Sequence, residues 1–435
     1  MEKFVNAIKN RVLVFDGSKG TMLQKYGLTG GECPESWNTA QSGIIKEIYS
    51  LYKAAGADVI QTNTFQGNSL RLKEYSLEDK THELNYAAVA LAKEVMVDKG
   101  YVAASIGPLG MLLEPFGELT FDVAYETFKD QVKVVADAGA DVINFETFTD
   151  VAELRAAVLA AKEVTSLPII ASLAFEQNKR TLMGTDPYVA AVILKSLGVD
   201  MIGANCSSGP SHLLEIIKTM NSLGGIPLCV KPNAGLPELK NDIVIYNETP
   251  EDFAKFTEDF VKNGVRLIGG CCGTTPEFIK VISQIVKSLA PPMQIEVSLP
   301  SQVIASLKRA INFKEAITSS TINTNINNDL HTGISEQGAE FALEIALEIA
   351  VAESDFVYIN VDSCIEKSKE ISLLADVIKT VSPYISHPIV LESDYPDALD
   401  SALRIYGGRA GVVSKENNLN VINKYGSLAI KEGMI

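Results

Sequence analysis

From the N-terminus to about residue 289 one pattern recurs: a short apolar run, a polar or glycine-containing turn, then an amphipathic stretch with helical spacing. The apolar runs predict strands over 12–16, 59–65, 101–107, 142–147, 169–175, 201–206, 228–233 and 267–272. Helical spacing falls between them, over 82–99, 121–138, 151–164 and 250–263. Strands alternating with helices imply βαβ units and a parallel sheet. Eight such units in about 280 residues fit a closed (β/α)8 TIM barrel. An open doubly wound sheet would show Gly-x-Gly-x-x-Gly after its first strand. Here that strand leads into Asp16-Gly17-Ser18-Lys19-Gly20-Thr21, which is a different turn.

The pattern then breaks. Ala290-Pro291-Pro292 and Ser298-Leu299-Pro300 disfavour helix and mark 291–300 as a linker after a first domain over 1–290. Residues 318–328 are rich in Ser, Thr and Asn, and a second series of units follows. Its strand candidates are 356–361, 389–392 and 410–413, and 336–353 is a strong helix candidate. Residues 301–435 thus predict a smaller α/β domain of about 135 residues, too short for a second full barrel.

Composition narrows the classes of partner. Hydrophobic content of 46% and charged content of 21% are those of a globular protein with a large core. A net charge of -16 argues against nucleic acid and anionic membranes as partners. Residues 1–11 mix charged and apolar side chains, unlike a secretory leader. The longest early uncharged stretch, 100–113, falls short of the ~20 residues of a spanning helix. Six cysteines in so long a chain do not suggest a disulfide framework, which points to a reducing, cytoplasmic setting.

The candidate chemistry gathers at predicted strand ends, where a (β/α)8 barrel builds its site. Asp16, Asn63, Glu146, Cys206, Asn233, Cys271 and Cys272 all lie at or just past one. Cys206 with the vicinal pair Cys271-Cys272 offers three thiolates, one short of the tetrahedral set of Zn²⁺, which is the form of a catalytic zinc site. Neighbouring cysteines in a strand point to opposite faces, so both reach one metal only if the chain bends; Gly269, Gly270 and Gly273 allow that. The bland alternative is a pair of buried apolar thiols. An all-sulfur site suits a substrate thiol as fourth ligand and alkyl transfer as the reaction. Glu146 is a candidate partner for a substrate ammonium, or else a capping acid. Asp16, Gly17 and Ser18 open a turn whose N–H groups could meet a substrate carboxylate.

These residues, in order, resemble the homocysteine S-methyltransferase family. The motifs are Asp16-Gly-x-x-Gly-Thr21, Gln61-Thr-Asn-Thr-Phe65, Glu146-Thr147, Asn205-Cys206, Pro232-Asn-Ala-Gly235 and Gly269-Gly-Cys-Cys-Gly-Thr274. Within the family, 1–290 is most similar to the homocysteine-binding module of cobalamin-dependent methionine synthases. The resemblance implies zinc on Cys206, Cys271 and Cys272 and homocysteine as substrate. It further implies Glu146 on the substrate's amino group, the turn after Asp16 on its carboxylate, and Asn233 on the metal until substrate arrives. Residues 301–435 resemble the first half of a pterin-binding barrel, but Tyr358 stands where an acid is expected, Glu392 for aspartate and Val413 near an expected asparagine. Asn360 and Asp362 alone do not make a folate site, so none is expected. The Asp-x-His-x-x-Gly signature of a cobalamin module is absent, so methylcobalamin would arrive on a separate corrinoid protein. The alternatives are a sulfonium donor such as S-methylmethionine, or a non-catalytic zinc- and thiol-binding subunit. The second domain is expected to serve docking or homo-oligomer formation.

Overall fold

A computed structural model describes residues 2–97, 99–240, 243–289, 296, 302–314, 319–323, 339–351, 354–361, 367–416 and 418–431. The chain divides into two compact units, one of residues 1–183 with 199–298, the other of 184–198 with 299–435.

The first unit is built on β1 (Leu13–Val14), β2 (Val59–Gln61), β3 (Tyr101–Ile106), β4 (Val142–Phe148), β5 (Ile169–Leu173), β6 (Met201–Asn205) and β7 (Leu228–Lys231). A hairpin of β8 (Pro237–Lys240) and β9 (Ile243–Tyr246) follows, and then β10 (Val265–Ile268). Apart from the hairpin, these strands form one eight-stranded parallel sheet in the order β1-β10-β7-β6-β5-β4-β3-β2. Its two ends meet: Phe15 bridges Val59 in parallel, and the Asp16 N–H donates to the Val59 carbonyl at 3.1 Å. The (β/α)8 barrel expected from the alternating pattern is therefore present. Strands buried on both faces read as unbroken apolar runs, which is why they stand out in the sequence.

The helix Phe4–Asn10 closes one end of the barrel. Its Phe4, Ala7 and Ile8 pack with Leu13, Phe15, Val59, Tyr101, Ala103, Val142, Ile170, Met201, Cys229 and Leu267. Polar residues therefore collect at the other end, beyond the strand C-termini. All of the barrel strands but β4, which runs on to Phe148, stop earlier than the sequence pattern suggests. Pro232, with no N–H to donate, ends β7 at Lys231. The hairpin β8–β9 was not expected. The helix predicted over 250–263 is two pieces, Pro250–Ala254 and Thr257–Lys262.

In the second unit an antiparallel pair, β11 (Val303–Ala305) and β12 (Ala310–Asn312), accompanies a parallel five-stranded sheet. Its strands are β13 (Ser319–Asn323), β14 (Phe356–Asn360), β15 (Ile389–Glu392), β16 (Gly411–Val413) and β17 (Leu428–Ile430), side by side in chain order. Three were expected. β13 lies in the Ser/Thr/Asn-rich stretch, whose polarity hides it, although every residue of it pairs with β14. The predicted helix 336–353 is seen over Ala339–Val351, with its first residues outside the described ones. The helix Pro187–Ser196 also belongs to this unit. The linker 291–300, apart from residue 296, lies outside the described residues, as does Asp362.

Candidate active site: a three-sulfur cluster over a buried ion-pair network

The chain leaves β6 through a sharp bend. Cys206 and Ser207 both adopt left-handed backbone, with φ of 62° and 58°. Such a conformation is unfavourable for residues with a β-carbon and marks functional sites. It is held by the Cys206 N–H donating to the Lys231 carbonyl at 3.1 Å and the Ser208 N–H to the Cys206 carbonyl at 2.7 Å. The β10 end bends as well. The Cys271 N–H donates to the Pro232 carbonyl at 2.7 Å, and the Ala234 N–H donates to the Cys272 carbonyl at 2.9 Å. Gly273 then turns the chain with φ of 79°. A β-carbon on Gly273 would lie 2.4 Å from the Tyr246 ring, so glycine serves both the turn and the close approach of the hairpin.

These bends bring the three sulfurs of Cys206, Cys271 and Cys272 within 4.8 Å of one another, each half-buried. The Cys206 and Cys272 sulfurs are 3.9 Å apart. Tetrahedral zinc with bonds of ~2.3 Å places its sulfurs ~3.8 Å apart, so the cluster fits that ion. The charge pattern agrees. Hydrogen bonds from Cys271 and Cys272 hold the Cys206 thiol down at about 3. The bond to Cys206 pushes Cys272 up to about 11, and bonds to both neighbours with burial raise Cys271. One thiolate forms readily, and three together require a cation.

Side chains around the sulfurs fix them. Asn233 accepts the Cys272 N–H at its Oδ1, at 3.1 Å, and its side chain also hydrogen-bonds Cys206. The Asn205 amide donates to Thr147 Oγ1 at 2.7 Å and approaches the Cys271 sulfur at 3.9 Å. The Tyr246 hydroxyl hydrogen-bonds Cys272; burial first, then the Cys272 charge, raises its pKa.

Below the sulfurs lies a network of buried charges. Glu146, in β4, accepts from Lys231 on one oxygen and from Ser105 and the Asn144 amide (3.1 Å) on the other. Its carboxylate is therefore engaged by the chain's own donors. Lys231 also donates to Gln61 Oε1 at 3.1 Å and lies 4.7 Å from the centre of the Phe15 ring. Burial lowers its pKa, but Glu146, Cys229 and Cys271 together more than reverse this, and it stands above the ordinary value. Asp16 pairs with Lys19 and accepts the Gln61 N–H at 3.1 Å on the same oxygen, Oδ2. Its other oxygen has no partner among the described residues. Burial outweighs Lys19 and raises the Asp16 carboxyl to about 6.

The other expected substrate residues are placed as follows. Ser18 directs its N–H at the Thr274 carbonyl (3.2 Å) and caps the helix Lys19–Lys25 through the Thr21 N–H (3.1 Å). Gly17 packs against Thr274 and Tyr52, so the turn is joined to the cysteine motif. Asn63 uses its amide on the Pro34 carbonyl (2.8 Å) and Asn38 Oδ1 (2.9 Å), which holds the loop after β2. Lys231, Lys19, Ser105 and Tyr246 were missed. Lys231 had a legible signal, because a lysine inside the apolar run Leu228-Cys229-Val230-Lys231 must find a buried anion.

A profile of the homocysteine S-methyltransferase family matches residues 13–286. The chain belongs to that family. It is 30% identical over 433 residues to a methionine synthase of Mycobacterium tuberculosis, covering 94% of this chain and 36% of the relative. It is also 32% identical over 300 residues to a methionine synthase of Mycobacterium leprae, covering 65% of this chain and 25% of that one. The chain thus spans about a third or less of the length of these relatives. In fold it matches the metallated form of the homocysteine methyltransferase MmuM from Escherichia coli. That TM-score is 0.55 at 22% identity, over 64% of this chain and 97% of the other.

Among the described residues, no helix is long and apolar enough to cross a membrane.

Proposed function

We propose that this chain transfers a methyl group to the thiol of homocysteine, forming methionine, with zinc on Cys206, Cys271 and Cys272. The observation that carries the reading is the convergence of those three half-buried sulfurs at the strand ends of a barrel of this family. When bound, zinc on three thiolates supplies an ionised yet electron-rich sulfur from an incoming thiol. The chain's own residues bind and orient the amino acid. Glu146 takes its ammonium, the turn Asp16-Gly17-Ser18 its carboxylate, and Asn233 and Asn63 hold the surrounding loops. Asn233, already bonded to Cys206, stands beside the metal until substrate arrives.

The donor in this reading is methylcobalamin on a separate corrinoid protein. The similarity to methionine synthases, which extends over 94% of the chain, supports it. No folate site is proposed in 301–435. Tyr358 and Val413 belong to its apolar core, and Glu392 accepts the Asn360 amide at 3.0 Å. This unit is assigned to docking or self-association, in a cytoplasmic protein. The zinc-loaded chain, given homocysteine and either methylcobalamin or S-methylmethionine, should form methionine with the first. Turnover with S-methylmethionine alone would reassign the donor. Absence of zinc–sulfur coordination would overturn the whole reading.

A further inference from the structure

Lys231 has no role in the reaction as proposed, yet it occupies the centre of the site. It is fully buried, with its ammonium on Glu146, 3.1 Å from Gln61 Oε1 and over the face of Phe15. An ammonium group held by a carboxylate, an amide oxygen and a ring face is what a substrate ammonium at Glu146 would also require. We propose that Lys231 is a positioning residue that occupies the ammonium site of the substrate-free chain and yields Glu146 to the α-ammonium of the incoming thiol. The inference rests on the reading of homocysteine as substrate and deepens it.

The structure also supplies a place for the displaced lysine. Both Glu146 oxygens already hold donors, Lys231 on one and Ser105 with Asn144 on the other, so a lysine displaced by the substrate ammonium needs an acceptor oxygen elsewhere. Asp16 Oδ1 is wholly buried and has no hydrogen-bond partner among the described residues, a state that is unfavourable for a carboxylate oxygen. Gln61 joins the two sites, because its side chain accepts from Lys231 while its backbone N–H donates to the other oxygen of Asp16. Lys231 therefore rests on Glu146 and moves toward Asp16 when substrate binds. Its occupancy keeps Glu146 aligned and paired, and any thiol lacking an ammonium group has nothing with which to displace it.

The test is calorimetric binding of homocysteine and of 4-sulfanylbutanoate, the same thiol acid without its amine, to the zinc-loaded chain. Lys231→Met frees Glu146 for the substrate. The preference for homocysteine over the deaminated thiol should then rise about tenfold above wild type, the scale of one charged hydrogen bond. An unchanged or smaller preference overturns the role of Lys231. A structure of the zinc-loaded wild type with homocysteine tests the same point without a variant. Lys231 should have left Glu146 for Asp16, and an intact Lys231–Glu146 pair overturns the proposal. If wild type binds neither thiol, the functional reading itself fails, which is a different result.

Discussion

Gly270 sits where a methyl group would collide with Thr274. A β-carbon there would lie 2.3 Å from Oγ1, 2.5 Å from Cγ2 and 2.6 Å from Cβ of that residue. Favourable carbon contacts lie near ~3.5–4.0 Å, so the overlap is about an ångström or more. Thr274 is fully buried and cannot swing aside. Its hydroxyl donates to the Cys271 carbonyl at 2.6 Å and accepts the Ser18 N–H at 3.3 Å. Gly270→Ala should therefore cost about 1–3 kcal/mol in overpacking. Two disturbed hydrogen bonds add about 1 kcal/mol each. Thr274→Gly alone loses the two bonds, about 2 kcal/mol, with about 1 kcal/mol more for the freedom of glycine. In the double variant all three clashing atoms are gone, so its loss should stay near that of Thr274→Gly. The coupling is then about 3–5 kcal/mol, the whole loss of Gly270→Ala. Urea unfolding of the four zinc-loaded proteins measures it. Chelator competition should show zinc affinity falling in Gly270→Ala and partly recovering in the double variant, because Thr274 holds the Cys271 carbonyl. Losses that add within about 0.5 kcal/mol would refute the steric argument.

Three further outcomes are expected. Lys231→Met leaves Glu146 buried without its cation and should destabilise the chain by about 3–5 kcal/mol in urea unfolding; a loss below about 1 kcal/mol would mean the pair is not load-sharing in the fold. Asp16, raised to about 6 by burial, favours the folded state while protonated. That stability is present below about pH 4 and is lost as pH rises through about 6, by about 3 kcal/mol. Asp16→Asn should remove this decline, and parallel stability–pH curves for the two proteins would contradict it. Tyr246→Phe removes the hydroxyl from Cys272 and should weaken zinc about tenfold in chelator competition while leaving the unfolding midpoint of the metal-free protein unchanged. Equal zinc affinity would exclude the hydroxyl from tuning the site.

How much of this was legible in the sequence depended on which physical term fixed each feature. The barrel was, because parallel strands covered on both faces must be apolar throughout, and runs such as 169–173 and 201–205 leave no doubt about their period. The sulfur cluster was, because glycines on both sides of Cys271-Cys272 mark a bend where side chains can converge. The partners of Glu146 were not. Which donor reaches it depends on inward-facing residues from β3, β4 and β7, and no local pattern encodes that meeting. β13 escaped because its residues Ser319, Ser320 and Thr321 follow the composition of a loop; backbone pairing with β14 decides the matter instead. The helix Pro187–Ser196 follows β5 in the chain yet belongs to the second unit. Chain order alone would have left it in the first.

The ring of strands is fastened along a short seam. β1 has two residues and meets the chain around β2 through the Phe15–Val59 bridge, through Asp58, whose N–H donates to the Val14 carbonyl at 2.7 Å and whose carboxylate takes the Val14 N–H at 2.9 Å, and through Asp16, whose N–H reaches Val59 and whose carboxylate takes the Gln61 N–H. The residue that opens the turn assigned to the substrate carboxylate is therefore also a clasp of the cylinder. Any ligand that draws the Asp16 carboxylate away from Gln61 gives up one bond of that seam, so occupancy at the mouth bears on the integrity of the wall.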